Sequence, residues 1–138
     1  MREIKFRAWD KKNNVMDFAY HWTTTILDWF NFPDKFVVMQ YTGLKDKNGK
    51  EIYEGDIVKG GVYYGWEKET GLGVVKFGEW GQDGSGHEYA SVTCLGFFID
   101  IKENKFNYIE DSYLNTTKAP SLEIIGNIYE NPELLSSN

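Results

Sequence analysis

Gln40-Tyr-Thr-Gly-Leu-Lys-Asp-Lys-Asn-Gly-Lys-Glu-Ile-Tyr-Glu-Gly-Asp-Ile-Val58 decides how this chain folds. Asn48-Gly49 places side by side two residues that tolerate positive φ, which a tight hairpin turn demands. Leu44 and Ile52 then stand on opposite arms, where their side chains can meet. Glu54-Gly55-Asp56 bends the chain a second time, into the β-branched pair Ile57-Val58. Two turns this close leave room only for brief extended segments, so the middle of the sequence reads as β structure.

Upstream, Phe36-Val-Val-Met-Gln-Tyr41 is β-branched and aromatic enough to be a strand. Near the amino end, Ile4, Phe6 and Ala8 alternate with Lys5, Arg7 and Trp9, and the charged side reads as a solvated face. Asp10-Lys-Lys-Asn-Asn14 follows as a polar turn. Residues 23–32 fit either a strand, from their threonines and aromatics, or a short helix lined by Ile26, Leu27, Trp29 and Phe30; Pro33 and Asp34 end the segment. Downstream, brief strands recur at Gly73–Phe77, Tyr89–Cys94, Phe97–Ile101, Phe106–Ile109 and Leu122–Tyr129, separated by glycines or by Glu103-Asn104-Lys105. Many brief strands without a long helix imply a small barrel or sandwich. Asn131 suits a helix amino-terminal cap, Pro132 the first helical position and Glu133 the positive end of the dipole, so one helical turn is expected to close the chain.

The chain has 138 residues, 41% apolar and 26% charged, the composition of a globular protein with a core of its own. A single cysteine, Cys94, closes no internal bridge, and with only two histidines it excludes Cys/His zinc patterns. No apolar run approaches a spanning helix, and the charged amino end lacks the apolar stretch of a signal peptide, so a cytoplasmic location is expected. Asn115-Thr116-Thr117 matches a glycosylation acceptor but reads as a polar loop. Residues 1–50 carry net charge +3 and residues 51–138 net −9. An acidic surplus suits phosphate binding poorly.

Groups for chemistry do not assemble. Glu110-Asp111, Glu67 and Glu69 read as solvated carboxylates, because strand neighbours point to opposite faces. Asp83, His87 and Glu88 share a glycine-rich loop whose spacing matches no ligand motif. Ser85 lacks a nucleophile elbow, and Gly71 with Gly73 lacks the rest of a phosphate loop. Cys94 reads as a packed side chain, and His21, between Tyr20 and Trp22, as a partly buried one. The expectation is a chain without enzymatic activity, metal or cofactor. What remains is an aromatic surplus: nine Tyr, nine Phe and five Trp. Tyr63, Tyr64, Trp66 and Trp80 lie in glycine-rich, acid-flanked segments, where exposed rings suit a protein-binding edge.

Three blocks carry a family resemblance: Arg2-Glu-Ile-Lys-Phe-Arg-Ala-Trp-Asp10, the central Gln40–Val58 stretch, and Ile125-Gly-Asn-Ile-Tyr-Glu-Asn-Pro-Glu-Leu134. They resemble the YopX family of small phage and prophage proteins. The resemblance implies a mostly β fold with a small SH3-like barrel over residues 42–138, beside an amino-terminal β or α+β subdomain over residues 1–41. It also implies a gene in a phage or an integrated prophage, hence a bacterial cytoplasm, and it brings no activity and no catalytic residues. In that picture Gly43, Gly49, Gly55 and Gly126 are fixed by backbone angles. The leading expectation is a non-enzymatic accessory protein, without a membrane, that binds another protein or its own copies through Tyr63, Tyr64, Trp66 and Trp80. The rivals are a nucleic-acid-binding protein using Arg2, Lys5, Arg7, Lys11 and Lys12, and an acidic decoy that imitates a nucleic-acid backbone.

Overall fold

A computed structural model describes residues 3–18, 26–60, 71–82, 92–103 and 111–136. Strands β1 (Phe6–Asp10) and β2 (Val15–Asp17) precede helix α1 (Ile26–Asn31), followed by β3 (Phe36–Lys45), β4 (Glu51–Tyr53) and β5 (Asp56–Gly60). Strands β6 (Gly71–Gln82), β7 (Val92–Glu103), β8 (Asp111–Tyr113) and β9 (Leu122–Asn127) complete the chain, which ends in a 3-10 turn over Pro132–Leu135. One sheet has the order β2-β1-β3-β4 and the other β8-β7-β6-β5-β9. All pairings are antiparallel. The chain is therefore mostly β, as the composition and turn spacing imply, and its curled sheets form a half-barrel.

Local chemistry explains the turns. The Asp10 carboxylate accepts the amides of Lys12 and Asn13 and the Asn13 side chain, which lets Asn14 take φ 53° between β1 and β2. Between β3 and β4 the Asp46 amide donates to Lys50 O at 2.8 Å, so the connection is a wider loop than the two-residue turn that Asn48-Gly49 suggests. Only Gly49 of that pair is left-handed, at φ 79°. Gly55 is left-handed too, and its amide donates to Val75 O of the second sheet. Gly126 does not share this property: a Cβ there would lie 2.5 Å from Asn131 Oδ1, so contact rather than backbone angle requires glycine.

The core lies where the sheets meet. Ile52 of β4 packs with Val58, Val75, Ile99 and Ile101 of the second sheet, with Leu122, and with Leu44 from the opposite hairpin arm. Each large aliphatic side chain removed from water there contributes about 1.5–3 kcal/mol.

Residues 26–31 settle as a helix. Trp29 is fully buried and anchors it, and Phe30 meets Phe6 edge-on at 5.9 Å. The expected brief strands around Gly78 and Gly96 are instead one long hairpin of two 12-residue strands. Gly78 pairs directly with Gly96, so the ladder of backbone bonds continues through both glycines instead of stopping at them. Residues 106–109 lie outside the described residues. At the carboxy end Asn131 makes no cap bond; its side chain turns back to accept the Asn127 amide at 3.2 Å. Residues 41 and 42 both lie within β3. No helix among the described residues is long and apolar enough to cross a membrane.

Candidate functional site

Arg7 stands on β1 and crosses to the start of β5. Its Nη2 donates to Asp56 Oδ1 at 2.8 Å and to Glu54 O at 3.1 Å, and its guanidinium lies 4.7 Å from the Tyr53 ring centre. The residue is 5% exposed, so the solvated face that alternation suggests for β1 does not hold at this position. A buried guanidinium needs a carboxylate, and Asp56 is held in place to supply it by the Tyr53 amide at 2.8 Å. Burial pushes the Asp56 carboxyl up, and the Arg7 charge with these hydrogen bonds offsets part of that. Glu54 is likewise raised by burial, against the Gln40 amide and the Arg7 charge.

Asp46 forms a second tie across the seam. Oδ1 accepts the amides of Asn48 and Lys50, while Oδ2 accepts the amide of Ile124 on β9, each at 2.9 Å. Lys47 N donates to Leu122 O at 2.9 Å, so the β3–β4 loop occupies part of the outer edge of β9. Burial pushes the Asp46 carboxyl up, but the three amides outweigh it and hold the group below the usual carboxylate range.

The proposed cationic strand is thus divided. Lys5 pairs with Glu3 at 2.6 Å and with Glu51, Arg7 is buried against Asp56, and only Lys11 and Lys12 of the described members sit on an exposed turn. Arg2 lies outside the described residues, as do Tyr63, Tyr64 and Trp66, and His21, Ser85, His87 and Glu88. Trp80 falls on β6 opposite Cys94. Asn115 closes a polar turn through bonds from the Thr117 and Lys118 amides. Among the described residues no three His, Cys, Asp or Glu side chains gather to hold a metal ion.

The far half of the β6–β7 hairpin is of another kind. Val75 and Ile99 are opposite one another and fully buried. Two residues further, on the same face by the period of a strand, Phe77 opposes Phe97, and next Glu79 opposes Leu95. Phe77 is 51% exposed and Leu95 73%, and the Phe77 and Phe97 rings meet at 5.0 Å. The face that lines the core thus continues past it into water. Both flanks of this stretch also lack a neighbouring strand among the described residues: β5 pairs with β6 only as far as Val74, and β8 with β7 only from Phe98. Sequence reading misses Phe77 and Leu95. The available signal is the mirrored order Phe77-Gly78 and Gly96-Phe97, which marks two arms of one hairpin.

A family model described as YopX protein matches residues 17–136. No curated protein matches the chain. The crystal structure of protein EF1440 from Enterococcus faecalis is similar over 99% of this chain and 100% of that one, with 26% sequence identity and a TM-score of 0.54.

Proposed function

The chain belongs to the YopX protein family, and we propose that it is a non-enzymatic protein-binding module, an accessory protein of a phage or prophage. One observation carries this reading: the core-facing side of β6 and β7 runs on beyond the core as Phe77, Phe97 and Leu95, with no neighbouring strand on either side among the described residues. An exposed apolar strand with free amides and carbonyls attracts another strand, so a soluble chain keeps one where a partner uses it. The partner this surface suits is a protein segment in extended form, which pairs with the edge through its backbone and covers the Phe77–Leu95 face with apolar side chains. Glu79 on the same face adds an acidic neighbour that favours a cationic residue in that segment.

The nucleic-acid alternative has less support. Lys5 and Arg7 face carboxylates of their own chain, and counterion release needs cations free to meet phosphates. A photoreactive phenylalanine analogue at position 95, expressed in the bacterial cell, tests the proposal. The expected result is one identified protein adduct, absent when Phe77→Asp is added and retained with Lys11→Glu and Lys12→Glu. An adduct indifferent to Phe77→Asp, or a complex destroyed by nuclease, refutes it.

A further inference from the structure

A cavity of about 400 Å³ opens beside the seam, lined among others by Arg7, Phe18, Lys50, Tyr53, Gly126 and Asn131. Its carboxylates are already matched: Asp56 by Arg7 and the Tyr53 amide, Glu51 by Lys5, and Glu130 by the Asn127 side-chain amide at 3.0 Å. Two of its cationic side chains nonetheless keep donors without a partner among the described residues. Arg7 makes its bonds to Glu54 and Asp56 through Nη2, and its Nε, although buried, has no partner among the described residues. Lys50 forms no ion pair among the described residues, and the Asn131 side chain is engaged there through its oxygen. A buried guanidinium with unused donors is costly unless something with oxygen atoms meets it. The remaining walls are apolar, from Ile124, Ile125 and the rings of Phe18 and Tyr53.

We propose that this cavity binds a small organic carboxylate with an apolar or aromatic body, the carboxylate between the Arg7 guanidinium and the Lys50 ammonium and the body against the isoleucines and rings. The planar, two-oxygen group suits the guanidinium fork, and the volume falls in the range of small-molecule sites. This site is separate from the β6–β7 face and stands or falls independently of it.

The test is titration of the isotopically labelled full chain with phenylacetate, followed by amide NMR, with 2-phenylethanol and inorganic phosphate as comparison probes. Phenylacetate is expected to shift the Tyr53, Gly126 and Asn131 amides saturably, leave those of Phe77 and Leu95 in place, and bind about tenfold more weakly to Lys50→Met. Lys50 is exposed, so that variant keeps its fold, and unchanged amide spectra away from the cavity check this. The proposal is overturned by no saturable shift at millimolar phenylacetate, by equal binding of 2-phenylethanol, by equal binding of phosphate, or by indifference to Lys50→Met.

Discussion

The seam around Arg7 and the outer half of the β6–β7 hairpin are both β structure, yet they treat side chains in opposite ways. At the seam, charged groups are buried and each finds a partner far along the chain: Arg7 meets Asp56, and Asp46 meets the Ile124 amide. On the hairpin, apolar groups are exposed and their strands have no further neighbour among the described residues. Charge is buried where the chain must be held in one arrangement, and apolar surface is left out where, on the function proposed above, a partner docks. Stability and binding should therefore respond to different substitutions.

The sharpest way to break that comparison is Asp56→Ala. It strands the Arg7 guanidinium and the Tyr53 amide, and urea unfolding should show a loss of about 3–5 kcal/mol. Asp46→Ala removes the acceptor of three amides and should cost about 2–3 kcal/mol, with faster hydrogen exchange at Ile124. Acidity sharpens the contrast within the seam. Because its amides hold Asp46 below the ordinary value of about 3.9, its contribution is complete above that value and is lost as pH falls through the native one. Glu54 is raised by burial, so its contribution is complete below the ordinary glutamate value of about 4.3 and declines as pH rises through the native one. In stability measured against pH, Asp46→Asn should flatten the acid limb, and Glu54→Gln should lessen the decline on the other side, to which the raised Asp56 also contributes.

Gly55 and Gly49 allow a finer test, since both are left-handed but only Gly55 is crowded, a Cβ there meeting Met39 Sδ at 3.0 Å. Gly49→Ala should cost about 1 kcal/mol and Gly55→Ala about 2 kcal/mol, by thermal unfolding. Phe77→Ser and Leu95→Ser come last, with stability changes of about 0.5 kcal/mol or less. If those two unfold the chain as Asp56→Ala does, the hairpin end is core and the division of roles fails.

The turns were legible in the sequence because Asn14, Gly49 and Gly55 answer a local backbone demand that neighbouring residues announce. The seam was not. Alternation assigns Arg7 to water, and what reverses this is an aspartate 49 residues away, a distance no periodicity reports. Length was misread for the same kind of reason: Gly78 and Gly96 look like breaks singly and become a continuous ladder only when paired with each other. The pattern leaves helix α1 open because Trp29, the residue that decides it, leans toward a strand by its own propensity and is overruled by the pocket that encloses it. Of the candidate site, aromatic surplus suggests a binding role, while the residues on which the proposed role rests, Phe77 and Leu95, become visible only with burial known.

The bond from Asp46 to Ile124 spans 78 residues, and β9 follows every other strand among the described residues. During synthesis the β3–β4 hairpin leaves the ribosome with its loop carboxylate already placed, but the amide it serves is still untranslated, and β5 has an unfilled side. Completion of the second sheet thus waits for a contact of long sequence separation, whose closure entropy is spent late in folding, after the hairpins that precede it have formed.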